Sequence, residues 1–235
     1  MQAFELLRPA DGLRFEIRSQ IPLARGLGSS AAAIVAGLMA ADHLYELALA
    51  RDEIYRRAAG LEGHPDNVAA ALGGGIALCP RAEDGTLPAP IRLEPPQGVE
   101  PILVVPAESL STPQARAALP AEVPFADAVA NIAASAQLAL GIERSDLTLI
   151  GRGLADTMHQ PHRAGLYPRS LELVTKAKEL GAIGASISGA GPTVLVWCFW
   201  QDTGKVVDAL AKRAEGWAEV RRLPFSPTGA DVPEL

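Results

Sequence analysis

The segment Pro22-Leu23-Ala24-Arg25-Gly26-Leu27-Gly28-Ser29-Ser30-Ala31-Ala32 concentrates residues that could do chemistry. Gly26 and Gly28 carry no Cβ, so backbone there can come close to a ligand. Ser29 and Ser30 open an alanine-rich, proline-free stretch that reads as a helix from Ala31 to Leu49. The first N–H groups of a helix have no intrahelical partner and lie at the positive end of its dipole, so they favour an anion. Serine hydroxyls donate to phosphate oxygens or coordinate Mg²⁺. The same residues also suit a tight strand-to-helix turn closed by a serine cap. Two common phosphate-binding patterns are not met. No lysine follows the glycines as in Gly-x4-Gly-Lys-[Ser/Thr], and Ala31 stands where Gly-x-Gly-x-x-Gly requires its third glycine.

Five other positions have matching chemistry. Glu62 offers hard oxygens suited to Mg²⁺ on a nucleotide. His64 and Asn67 can hydrogen-bond a small polar substrate. Arg116 and Arg163 can each clamp a carboxylate through two parallel N–H bonds. Taken singly, each of the five is an ordinary helix-end, loop or surface residue.

These residues need a scaffold. Leu13, Phe15, Ile17 and Ile21 alternate with polar neighbours, which predicts a half-buried strand leading into the glycine-serine loop. Helices are predicted over Asp52–Leu61, after Asn67 as far as Leu72, over Phe125–Leu140, over Ser145–Met158 with Ser145 as N-cap, over Leu171–Leu180 and over Lys205–Ala214. Strands are predicted over Ile76–Leu78, Ile102–Val105, Ile183–Ser188, Thr193–Trp200 and Glu219–Leu223. Pro80, Pro88, Pro90, Pro95, Pro96 and Pro101 mark a domain boundary or a sheet-edge excursion. The alternation of helices and strands in the C-terminal half predicts a sheet with helices on one face.

Composition removes several classes. The chain has 235 residues, 49% hydrophobic and 20% charged, which excludes a disordered or fibrous protein. A net charge of −6 argues against a general nucleic-acid surface. Two cysteines cannot build a disulfide framework and fit a reducing compartment, so a cytoplasmic location is expected. The longest apolar run, Ala31 to Ala41, is too short for a bilayer, and no membrane partner is expected.

The loop at 22–32 resembles the ATP-binding motif of the galactokinase–homoserine kinase–mevalonate kinase–phosphomevalonate kinase (GHMP) superfamily. A second family motif is present about 160 residues downstream, as Ser188-Gly189-Ala190-Gly191-Pro192-Thr193. Three further segments resemble the homoserine kinase branch: Glu62-Gly63-His64-Pro65-Asp66-Asn67-Val68-Ala69, Ser111-Thr112-Pro113-Gln114-Ala115-Arg116, and Asp156-Thr157-Met158-His159-Gln160-Pro161-His162-Arg163.

The resemblance implies an α+β fold of two domains. The N-terminal ATP-binding domain (1–98) would be ribosomal-protein-S5-like and incomplete at its start, and the C-terminal domain (99–235) ferredoxin-like. It implies ATP with Mg²⁺, and phosphorylation of the L-homoserine hydroxyl in threonine biosynthesis. Pro22 to Ala32 would hold the nucleotide, and Ser30 and Glu62 the metal. His64, Asn67, Thr112, Arg116, Arg163 and Gly189 would hold the substrate, with Glu62, Asn67 and Arg163 closest to catalysis. Asn67 would orient the hydroxyl while its proton passes to phosphate; Asp66 is the nearby carboxylate that would supply a base instead. Family analogy allows a homodimer. Another acceptor, mevalonate- or shikimate-like, or a non-catalytic nucleotide-binding paralogue, are the competing expectations. The superfamily's opening loop, Pro-x-x-x-Asn-[Leu/Ile/Met]-Gly-x-Gly-Phe-Asp, has no counterpart here. From that, a truncated chain of poor activity or stability is expected.

Overall fold

The structure is a computed structural model and describes residues 1–232. It divides into two units. The first comprises Met1–Ile21, Gly28–Glu94 and residues 226–232, and the second comprises Pro22–Leu27 and Pro95–Phe225.

In the first unit α1 (Gln2–Glu5), α2 (Ser29–Leu44), α3 (Arg51–Glu62) and α4 (Asp66–Gly73) are followed by β1 (Ile76–Leu78) and β2 (Ile91–Leu93). The helices bury Val35 and Leu38 of α2, Ile54 and Tyr55 of α3, and Val68 and Leu72 of α4 in one core. Small residues on α2, such as the fully buried Ala31 and Ala41, let its neighbours pack closely. Gly63, left-handed at φ 82°, ends α3 and starts the short turn into α4. The two strands pair antiparallel, Ile76 opposite Leu93.

The strand expected over Leu13–Ile21 does not form. Among the described residues no strand pairs with it, and Ile17 is 76% exposed. Alternation marks two faces but supplies no hydrogen-bonding partner, and without a ladder there is no strand. Phe15 instead sets its ring edge-on against the buried Phe4 of α1, 5.1 Å between centroids.

The second unit is built on a four-stranded antiparallel sheet of order β4-β5-β3-β6. Its elements are β3 (Val99–Pro106), α5 (Thr112–Ala117), α6 (Phe125–Arg144), α7 (Leu147–Gly153), a 3-10 turn (Pro161–Leu166), α8 (Pro168–Lys176), β4 (Gly184–Ile187), β5 (Val194–Phe199), α9 (Thr203–Ala214) and β6 (Ala218–Arg222). Alternate residues Ile102, Val104, Val194, Val196 and Cys198 share one face of the sheet. They pack with Leu173 and Ala177, and with Val206, Leu210 and Ala214, so α8 and α9 cover that face as expected.

Two local expectations are corrected. β3 is longer than predicted and runs through Pro101 although it is a central strand. The carbonyl of Pro101 faces β6, accepting from Leu223 N, just beyond the register pair Ile102–Arg222 where β6 stops. The N–H that proline lacks therefore falls where no ladder bond is needed. Ser145 does not cap α7. It adopts φ 53° as the C-cap of α6, and Asp146 caps α7 by accepting from Thr148 N and Leu149 N. α6 is long and apolar enough to cross a membrane by length and composition alone, through its alanines; it packs against α7.

Candidate active site

The first unit assembles a chain of polar side chains at the head of α2. Gly28, the residue before α2, is left-handed at φ 70°, and no side chain caps the helix among the described residues. The amides of Ser29, Ser30 and Ala31 therefore remain available to an anion, and the first intrahelical bond is Ala32 N to Gly28 O. A Cβ on Gly28 would lie 3.1 Å from Asn67 Oδ1, which sets the Asn67 side chain directly against this turn. Ser30 Oγ donates to Glu62 Oε2 at 2.7 Å, and the Glu62 side chain is only 10% exposed. His64 lies between two carboxylates: Nδ1 is 2.9 Å from Asp66 Oδ1, and Nε2 is 3.9 Å from Glu62 Oε1. Asp66 Oδ1 also accepts from Asn67 N at 2.7 Å and from Asn67 Nδ2 at 3.3 Å. Ser30, Glu62, His64, Asp66 and Asn67 are thus joined as one set.

This set fits Mg²⁺ carried by a nucleotide. Ser30 Oγ and Glu62 Oε2 are both hard oxygens and lie side by side, joined by a hydrogen bond. Two protein oxygens are few, as Mg²⁺ prefers when waters and phosphates supply the remainder.

The second unit assembles the other residues. Ser111 caps α5 in a capping box with Gln114, which fixes Thr112 and Arg116 on a short helix. The buried Arg163 donates Nε to Ala115 O at 2.8 Å, so its guanidinium lies against the backbone beside Arg116. No ion pair among the described residues involves either arginine. Two arginines without a carboxylate partner suit a carboxylate-bearing ligand.

The same unit brings the two glycine motifs into contact. Ser188 Oγ donates to Gly26 O at 2.8 Å. A Cβ on Gly26 would lie 2.1 Å from Ser188 O, and Gly26 itself is at φ 73°, so only glycine fits. Gly189, at φ 55°, faces Gly26 O in return. Gly189 thus meets protein backbone at the base of the loop. Within the loop, Leu23, Ala24 and Arg25 are also tied to protein: Ala24 O accepts from Leu110 N at 3.0 Å, and the Arg25 guanidinium faces carbonyl oxygens.

Sequence reasoning gave no role to the residues that hold the second glycine motif. The buried Gln160 accepts from Ile187 N at 2.8 Å, and the buried Ser170 donates to Pro192 O at 2.7 Å. Asp156 organises the approach to Arg163 by accepting from Met158 N, His159 N and Gln160 N. Burial alone would raise its pKa. The His159 ring and these three amides outweigh burial and hold the carboxyl far below the usual range. Gln160 and Asp156 lie inside a quoted motif, but apart from the His159 ring their partners are backbone groups, which leave no side-chain signature to read.

Family models match both parts of the chain: the GHMP kinases N-terminal domain over residues 1–75 and the GHMP kinases C-terminal domain over 138–218. A homoserine kinase of Thermus thermophilus is 44% identical over 199 residues, covering 85% of this chain and 67% of the relative. One from Moorella thermoacetica is 42% identical over 191 residues, covering 81% and 64%. The crystal structure of homoserine kinase from Cytophaga hutchinsonii superposes with a TM-score of 0.80 at 29% identity, covering 90% of this chain and 69% of that one. The chain spans about two thirds of the length of these relatives.

Proposed function

The chain belongs to the GHMP kinase family, and from that premise we propose that it transfers the γ-phosphoryl group of ATP to the side-chain hydroxyl of L-homoserine, giving O-phospho-L-homoserine and ADP. The observation that carries the proposal is the uncapped head of α2 with the Ser30–Glu62 pair at its first turn. Phosphoryl transfer needs little covalent help from the protein, so positioning and charge neutralisation supply the rate. The amides of Ser29, Ser30 and Ala31 bind the phosphate chain. When bound, Mg²⁺ neutralises charge on the β- and γ-phosphates, and Ser30 and Glu62 are the residues that would hold it. Arg163 and Arg116 orient the amino acid through its carboxylate. Thr112 and His64 complete the polar wall of the substrate site. Asn67 orients the acceptor hydroxyl. Asp66 already accepts hydrogen bonds from His64 and Asn67, which favours a structural role for it over that of general base. The proton then leaves with the transferred phosphate.

On this reading the boundary between the family's N-terminal and C-terminal domains falls near residue 98, while Pro22–Leu27 belongs with the second unit and the segment from Ser226 with the first. The enzyme is cytoplasmic, in keeping with the free thiols of Cys79 and Cys198, and forms a homodimer by family analogy.

The test is ³¹P NMR of the chain with ATP, Mg²⁺ and L-homoserine, beside mevalonate and shikimate. A phosphomonoester formed only with homoserine is expected. Preference for another acceptor would reassign the substrate, and tight ATP binding without any turnover would make the protein a nucleotide sensor.

A further inference from the structure

Arg25 is a cation inside the nucleotide loop, yet its guanidinium is committed to the protein. Nε donates to Pro106 O at 2.8 Å, Nη1 to Leu23 O at 2.7 Å, and Nη2 to Ala107 O. Pro106 is the last residue of β3, a central strand of its sheet, and Ala107 N is itself held by Trp217 O at 2.9 Å. The residue beside Arg25 explains why such a fastening is needed. Ala24 sits at φ 54°, in the left-handed region that disfavours a residue with a Cβ. That backbone is retained only if its surroundings over-determine it. Leu110 N to Ala24 O and the three guanidinium bonds do so.

We propose that Arg25 is a positioning residue for the phosphoryl transfer. It fastens the Pro22–Gly26 part of the loop to the C-terminal end of β3, so that this stretch of backbone is arranged before the nucleotide arrives, and it does not itself contact phosphate. The planar fork is what matters. It reaches three carbonyls at once, which a lysine ammonium, a compact point charge on a flexible stem, cannot do. This inference rests on the kinase reading above, because preorganised amides matter only if a phosphate chain binds there.

The test uses the full chain carrying Arg25→Lys, Arg25→Gln or Arg25→Ala. A fluorescent ADP analogue reports nucleotide affinity with Mg²⁺ present, and steady-state kinetics report KM for ATP and for homoserine separately. Arg25→Lys and Arg25→Gln are both expected to weaken nucleotide binding about tenfold or more. KM for ATP rises in step, while KM for homoserine stays within about twofold. Added methylguanidinium restores part of the affinity of Arg25→Ala, whereas methylammonium, with the same charge and no fork, does not. Wild-type affinity in Arg25→Lys would overturn the proposal, since it would mean that charge alone is needed. A parallel rise in both KM values would also overturn it, because the loss would then be general loosening. If wild type neither binds nucleotide nor phosphorylates homoserine, the kinase reading fails first. If wild type does both and Arg25→Lys matches it, only the role of Arg25 falls.

Discussion

Glu62 and Asp156 are both carboxylates enclosed by protein, but the structure uses them differently. Glu62 meets one hydroxyl, from Ser30, and keeps its other oxygen 3.9 Å from His64 Nε2. That leaves capacity for a cation. Glu62→Gln preserves shape and removes charge, so kcat is expected to fall by about a hundredfold and the Mg²⁺ requirement to rise, read by coupled ADP release across a Mg²⁺ titration. An unchanged Mg²⁺ dependence would remove Glu62 from the metal site. Asp156 is saturated by three backbone amides. Its folded pKa lies below the unfolded value of about 3.9, so its stabilisation is fully present above that value and disappears as pH falls towards the folded pKa. Thermal melting between pH 2 and pH 7 is therefore expected to show acid-side loss in wild type. The curve should be flatter and lower for Asp156→Asn, by about 2 kcal/mol at neutral pH.

At the scale of elements, the second glycine motif depends on the segment before α8. Gln160 accepts from Ile187 N, so Gln160→Leu would leave a buried amide unpaired at about 1–3 kcal/mol, whereas Gln160→Glu keeps the acceptor. Chemical denaturation is expected to rank wild type, then Gln160→Glu, then Gln160→Leu; equal midpoints would show the bond to be dispensable. Much of this level was legible beforehand. α3 and α9 lie within two residues of the ranges predicted for them, and β1 coincides with its range. The strand over 13–21 was misread because period-two alternation carries no information about a partner. The cap of α7 was misread by one residue because Ser145 and Asp146 are both good caps, and only the backbone decides which one enters the left-handed region. In the candidate site, residue types pointed to the head of α2 and to Arg116 and Arg163. Arg25 lies in the stretch that the resemblance assigns to the nucleotide, and a sequence does not show the carbonyls of Leu23, Pro106 and Ala107 that surround it.

Across the whole molecule, hydrophobic burial falls into two separate clusters, one around Val35, Leu38, Ile54 and Val68, the other around Ile102, Val104, Val194 and Leu210. Leu38 and Ile102 are both fully buried, so truncation of either to alanine is expected to cost about 2–5 kcal/mol. Native-state hydrogen exchange should localise the damage: Leu38→Ala lowers protection in α2, α3 and α4, and Ile102→Ala in β3 and β5. Equal loss in both sets from either substitution would mean that the clusters act as one core.

The contact between Gly26 and Ser188 has a practical corollary. These residues are 162 positions apart, and one steadies the other through a single hydroxyl-to-carbonyl link. A gene fragment ending before β4 would encode every letter of the first glycine motif yet lack its buttress. The signature is therefore not a portable cassette: transplanted alone into another scaffold, it would have to be supplied with a second backbone turn to lean on.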